Sequence, residues 1–527
     1  MTGTRSVLEG SQVVPSRSPD ADTGSARRLT LWFVLGAGAL SAVLFWLAHA
    51  SLIDDAYITL AYAKNLATDL HWGLTPQQVS NTATSPGNVL LLAGATAAVG
   101  VFGGVHPVIG LGVVSVGCGT AFGWAWARIV RRLDVSPAAG ALGIVLVLLN
   151  PVLISAIGLE VLPTAAVLAL LLAAALDGRP VLFGALAGAA LLIRLDLVVF
   201  VVPLALASSG VRRRLHLAIP VAVAVGAPWY VWSWFYFGSA VPDTFVIKTL
   251  QRSFDGIGFA DGPIAMFEGR PGLMFEGRPG LTVLAFAPAL VGTVVVLGFA
   301  LAAALRRAAR FAGFGPVVAL GVGGIAYYAV YAKLHVPPYH WYYVSPIIAL
   351  TTTAVLGTAV LARRRGVLDR VAAIPLGVGL GAAALATVAL VAAQGAPWTT
   401  TIIFGNWATS ADYARVGTEI GDRVGDDVVI NFGEIGTLAY FCECAMVNDF
   451  TDRGVLVPLV DRRIAESGPV GSWLLRLNYH NLNRTQTPLP ADYELRYAPG
   501  PGAGPDVWQI FAPGGRGTGH LTLVPLR

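Results

Sequence analysis

Charge is what this sequence has least of. Asp, Glu, Lys and Arg together make up 12% of its 527 residues, about half the roughly 25% of a soluble globular domain. Cysteine is scarce too: three residues are too few for a disulfide framework. Cys118 lies inside an apolar run and reads as a packed core residue. Cys442 and Cys444 lack the second thiol pair of a zinc site, which leaves a local disulfide or isolated thiols. No two histidines stand at i,i+4 with a carboxylate between them, so no metal ligand is assigned, and whether a divalent cation assists stays open. There is no phosphate-cradling P-loop and no G-x-G-x-x-G after a strand. A soluble nucleotide is therefore not an evident substrate, and no organic cofactor is expected.

What the chain has instead is long apolar runs. Hydrophobic residues make up 55% of it, with a mean hydropathy of +0.67. This is the composition of a polytopic membrane protein. The net charge of +5 does not mark a nucleic-acid groove. Thirteen of the 32 arginines fall in short clusters between apolar runs, where they fix topology: Arg27-Arg28, Arg131-Arg132, Arg212 to Arg214, Arg306-Arg307 with Arg310, and Arg363 to Arg365.

If every cluster is cytoplasmic, an even number of crossings separates neighbouring clusters. Crossings at 30–52, 107–129, 139–157, 160–176, 181–193, 197–209, 215–235, 281–304, 313–332, 341–361 and 371–393 obey that parity. The Gly- and Ala-rich stretch at 88–104 is set aside as a juxtamembrane or re-entrant helix. About eleven spans result, in a multi-pass protein of the plasma membrane. Residues 1–28 read as a disordered cytoplasmic tail, and 29–394 as the membrane domain with outer loops 53–105 and 236–280. Residues 395–527 read as an extracytoplasmic α+β domain, because apolar and polar residues alternate there in stretches such as "DDVVINFGEIGTLAYF".

Ionisable groups gather in the segments assigned to the outer face. Asp54 and Asp55 stand side by side in "SLIDDAYITLAYAKNLA", where the first span emerges. Adjacent helical residues point about 100° apart, so one acid can face a cavity while the other caps or orients a neighbouring helix. The loop continues as "VSNTATSPGN", rich in hydroxyls and amides, including Asn81. Glu160 falls between two spans, Arg194 and Asp196 at a helix break, and Lys248 in "FGSAVPDTFVIKTL". His335, Tyr339, His340 and Trp341 fall in "KLHVPPYHWYY". Each has a plain alternative as a cap, ion pair, snorkelling anchor or interfacial aromatic. The octapeptide "MFEGRPGL" also occurs twice in tandem, at 266–273 and 274–281. It reads as a tolerated loop duplication, or as a source of Glu268, Arg270, Glu276 and Arg278 for a substrate.

In order along the chain, "DDAYITLAYAKNLA", "NTATSP", "AIGLE", the "RLD" break, "FGSAVPDT…K" and "PPYHWYYVSP" resemble polyprenyl-phosphate-dependent glycosyltransferases of the GT-C superfamily, in particular cell-wall arabinofuranosyltransferases. The resemblance spans about 30–393 and continues weakly in "NFGEIGTLAYF…AMVNDFTDRGVL". It implies a GT-C membrane fold, a polyprenyl-phosphate sugar donor reached from the outer leaflet, and a cell-envelope glycan or glycolipid acceptor. It also implies an inverting transfer with Asp54 or Asp55 as general base, Asp54 being preferred. Lys248, Arg194 and His335 or His340 are expected on the donor phosphate, in that order. Tyr57, Tyr339 and Trp341 are expected on the sugar or lipid. Ala61 stands where many relatives carry a basic residue, and Lys64 is the expected substitute. The rival readings are a flippase for a lipid-linked precursor and a non-catalytic envelope scaffold.

Overall fold

The computed structural model describes residues 19–270, 278–305, 313–363, 367–431, 433–513 and 516–526. It is mainly helical, with one small sheet near the C-terminus. Among the described residues, seven helices are long and apolar enough to cross a membrane: Gly24–Ala48, Pro107–Leu133, Leu215–Tyr236, Pro279–Ala304, Gly315–Leu334, His340–Ala362 and Val371–Ala393. Four more expected crossings fall on shorter apolar helices, Pro137–Leu148, Val161–Asp177, Pro180–Ile193 and Leu195–Ala207. The stretch set aside at 88–104 is a fifth short helix, Pro86–Gly100. The short lengths have local causes. Asn150-Pro151, Gly178 with φ +65° and Arg194 with an extended backbone each interrupt the helical ladder.

Packing follows composition. Val161–Asp177 has no polar face and is buried almost throughout, and His340–Ala362 is likewise mostly enclosed. The outer helices leave apolar faces uncovered, as helices facing lipid do. At the N-terminus the reading needs correction. Helix already runs from Pro19 to Ala48, so Arg27 and Arg28 belong to it rather than to a tail. Residues 1–18 lie outside the described residues.

The segment 53–105 holds the helices Asp54–Asp69 and Pro86–Gly100, and 236–280 holds Thr244–Gln251 and Gly262–Glu268. The tandem octapeptide serves two different ends. In the first copy, Met266 to Glu268 close a helix that Gly269 terminates at φ +68°. In the second, Pro279 opens the next helix, Pro279–Ala304. Glu268 pairs with Arg270 at 2.7 Å, Arg278 donates to the Ile402 carbonyl, and Glu276 lies outside the described residues.

Beyond residue 395, five strands form one sheet: β1 (Val428–Asn431), β2 (Ala445–Val447), β3 (Tyr493–Pro499), β4 (Val507–Ala512) and β5 (Gly517–Pro525). Their order is β2-β1-β3-β5-β4. β1 is parallel to β2 and β3, while β5 is antiparallel to β3 and β4. Cys442 and Cys444 are disulfide-bonded between the helix Gly436–Cys442 and β2.

Both of the segments 53–105 and 236–280 share cores with this region. Tyr62, Trp72, Leu74 and Val89 pack in one cluster with Tyr413, Val416, Ile420, Leu438 and Met446. Val246 packs with Leu456, Val460, Ile464, Leu475 and Tyr479 in another. The tightest junction is at Gly436, where a Cβ would lie 2.0 Å from the Asp54 carbonyl oxygen; only glycine fits there.

Candidate active site

A crevice of about 700 Å³ lies where these three regions meet. The helix Asp54–Asp69 contributes Asp54, Asp55 and Ile58. The helix Thr244–Gln251 contributes Ile247, Lys248 and Gln251. Tyr339 comes from the turn before His340, and the sheet region adds Asn406, Trp407, Glu434, Asn448, Asp449, Phe450 and Arg516.

The neighbouring acids have separate tasks. Asp54 is 4% exposed and caps the helix Gly436–Cys442: one carboxylate oxygen accepts from the Gly436 N–H at 2.9 Å, the other from the Thr437 N–H at 2.7 Å. A carboxylate at a helix N-terminus satisfies orphan donors and complements the dipole. Burial pushes its pKa up to about 6, the Thr437 N–H opposes that, and Asp55 adds to it. Asp55 is half-buried, and among the described residues no other residue donates a hydrogen bond to its carboxylate. Burial raises its pKa as well, and the charge of Lys248 pulls it back down.

Lys248 donates to the Tyr339 hydroxyl at 2.8 Å. Its ammonium sits 4.1 Å from the Tyr339 ring centre and 5.1 Å from that of Phe450. Burial alone would depress this ammonium, but the Tyr339 hydroxyl and the Asp55 carboxylate outweigh it and hold its pKa above the ordinary lysine value. Asp449 is raised by burial and lowered by Lys248. The cation therefore acts on two carboxylates without pairing with either, and only one of its three N–H donors is committed among the described residues.

Glu434 lies behind Asp54. It accepts from the Asn406 amide (2.9 Å), the Trp407 N–H (2.9 Å) and the Tyr413 hydroxyl (2.8 Å). Burial, then the nearby Asp54 charge, lifts its pKa to about 8. Arg516 stands over the Trp407 ring at 5.3 Å, on the C-terminal side of the crevice.

Of the residues expected from sequence, the crevice gathers Asp54, Asp55, Lys248 and Tyr339. Both oxygens of Asp54, the acid preferred from sequence as base, are occupied by a helix terminus, whereas those of Asp55 are not. Arg194 is not free for a phosphate. It is buried with Glu160, and its guanidinium bonds Glu160, Asp196 (2.6–3.1 Å) and the Tyr331 hydroxyl (2.7 Å). Asp196 in turn accepts from Tyr327 and Tyr331. Lys64 is a tether, paired with Glu443. Asn81 is buried and donates to Ser233 and Ser239, while Ser80 and Thr82 bond the Tyr62 hydroxyl. The hydroxyl-rich loop thus holds the outer segment together instead of lining a site. Tyr57 packs on Tyr440 and Phe441. His335 is exposed at a helix end with φ +51°, and His340 is buried against the Ser155 backbone. Trp341 stacks on Tyr339 at 4.5 Å and reaches the crevice only through it.

No family model matches this sequence, and no curated protein matches it. Solved structures do. The chain is similar to ArnT from Cupriavidus metallidurans bound to undecaprenyl phosphate, at 15% identity and a TM-score of 0.52, over 93% of this chain and 97% of that one. The apo state of the same protein matches at 15% identity and a TM-score of 0.50, over 95% and 98%. The fold is the GT-C fold. It accounts for the apolar bundle, the helical outer segments and the small sheet region in one architecture.

Proposed function

We propose that this chain is a membrane glycosyltransferase that moves a sugar from a polyprenyl-phosphate donor to a cell-envelope glycan or glycolipid at the outer face. The GT-C fold, shared with a protein solved with undecaprenyl phosphate, supports the lipid-linked donor. The motif order in the sequence supports a pentose, arabinofuranose. The observation that carries the reading is that Asp55 and Lys248 line the same crevice, a carboxylate of raised basicity and a partly committed cation whose charges bear on each other.

In this reading Asp55 takes the proton of an acceptor hydroxyl. That oxygen then bonds the sugar's anomeric carbon as the carbon–oxygen bond to phosphate breaks, inverting the centre and releasing polyprenyl phosphate. Lys248 offers its remaining N–H donors to the departing phosphate, where charge accumulates. Asp54 holds the base's helix against the sheet region. The test is transfer by the purified protein in nanodiscs, supplied with a panel of polyprenyl-phosphate sugars and a cell-wall acceptor. Transfer from one donor, lost in Asp55→Asn, is expected. No transfer from any donor, or full activity in Asp55→Asn, would overturn the assignment.

A further inference from the structure

The helix Pro469–Asn478, in the sheet region, has an apolar face that the protein leaves bare. Val470 is 71% exposed, Trp473 62%, and Leu474 and Leu477 about half. They recur at i, i+3, i+4 and i+7, one stripe of a helix. The opposite side carries Leu475, buried with Val246, Leu456, Val460, Ile464 and Tyr479. A soluble domain does not ordinarily offer water a Trp, two Leu and a Val side by side.

Its position says what covers it. The helix is bonded to the end of the apolar helix Leu215–Tyr236, which leaves most of its surface uncovered by protein. Trp234 donates its indole N–H to the Leu477 carbonyl at 2.9 Å. The Asn481 amide donates to the Trp234 carbonyl, and Asn478 accepts from the Ala240 and Val241 N–H groups at 3.0 and 2.7 Å. The approach is close enough that a Cβ on Gly238, at φ +78°, would lie 2.6 Å from the Asn481 carbonyl oxygen. The last turn of Leu215–Tyr236 exposes Trp232, Phe235 and Tyr236, the aromatic belt of a membrane–water boundary. The bare stripe thus starts where a lipid-facing surface ends.

We propose that Pro469–Asn478 is an interfacial helix whose Val470, Trp473, Leu474 and Leu477 lie in the headgroup–acyl boundary of the bilayer, as amphipathic helices do. The sheet region is then held at the membrane at two places, the Asp54 cap and this helix, with the crevice between them. Sugar transfer has no part in the argument, so its test is independent of the enzymatic reading.

The experiment places an environment-sensitive fluorophore on Trp473→Cys or Leu474→Cys in a Cys118→Ser full-length background, in nanodiscs, with Arg462→Cys as the exposed reference. Cys442 and Cys444 are disulfide-bonded and do not react. Expected is a blue-shifted emission at 473 and 474, quenched severalfold more than 462 by lipids carrying a nitroxide high on the acyl chain. Emission as water-like and unquenched at 473 and 474 as at 462 would overturn the proposal. So would a blue shift that lipid nitroxides leave unquenched but dilution to one protein per disc abolishes, because a second copy would then be the occupant.

Discussion

Two clusters in this molecule are built alike and left in opposite states. Arg194 is ion-paired with Glu160 and Asp196, whereas Lys248 acts through its charge on Asp55 and Asp449 without pairing with either. Around Arg194 the guanidinium bonds two carboxylates and a phenol, and Tyr327 and Tyr331 complete Asp196. Around Lys248, one hydrogen bond to Tyr339 leaves donors over, and Asp55 receives nothing from another residue among those described. The first cluster is closed on itself; the second faces a crevice. Charge at a loop between apolar helices is thus a poor guide to chemistry until its partners are counted. A saturated cation has nothing left to offer a phosphate.

The largest expected effects separate the clusters by kind. Asp55→Asn should cut transfer by about 10²–10⁴-fold, the usual worth of a positioned base, while the thermal unfolding transition stays in place. Arg194→Ala should do the reverse to the molecule. It strands the buried Glu160 and the half-buried Asp196, and breaking a buried pair costs about 3–5 kcal/mol, read as a lowered melting temperature whether or not substrate is present. Arg194→Lys should not restore it, since a point charge cannot make the forked contacts. An unchanged melting temperature in Arg194→Ala would erase the contrast.

Lys248→Ala is a finer probe. Removing the ammonium takes away the charge that opposes burial at Asp55, so the Asp55 pKa rises. In the proposed reaction Asp55 works deprotonated, so activity is lost as pH falls through its pKa. The acidic limb of kcat/KM therefore moves to higher pH. On that limb the rate drops about tenfold for every pH unit the limb has moved. KM for the donor should rise alongside. A limb that stays in place would mean that Lys248 and Asp55 do not sense each other.

How much of this was legible beforehand depends on the solvent each segment meets. In the membrane part the alternatives to helix are so costly that apolar runs alone located the helices, and an acid or lysine there stood out by rarity. Asp55 and Lys248 were found that way. The same rarity misled at Arg194, because its saturating phenols, Tyr327 and Tyr331, sit i,i+4 apart in an apolar helix and looked like packing. In the sheet region carboxylates are ordinary, and Glu434, Asn448 and Asp449 passed unnoticed. A signal was present. Glu434 follows β1 and Asn448-Asp449 follow β2, at the carboxyl ends of two parallel strands, where open α/β sheets place their sites. Asp54 could not be assigned to the cap from sequence, because its partner helix begins 382 residues away.

The smallest effect concerns the seam that keeps the crevice roofed. Glu434 in place has its pKa raised to about 8, against about 4.5 when released, and Asp54 to about 6 against about 3.8. An acid raised by folding binds its proton more tightly in the docked state. Its contribution is complete below the released value and is lost as pH climbs through the docked one. The grip of the sheet region on the helix Asp54–Asp69 should therefore weaken from about pH 3.8 toward 8, with a slope of at most about 1.4 kcal/mol per pH unit for each group. Solvent contact at half-buried Glu434 reduces this further. Glu434→Gln keeps the shape, removes one titration and relieves Asp54 of a like charge. Amide exchange over Gly436–Cys442 is the readout: protection should fall across that pH range in the native chain and stay flatter in the variant. Equal slopes in the two would mean that the Asp54 cap holds the seam without Glu434.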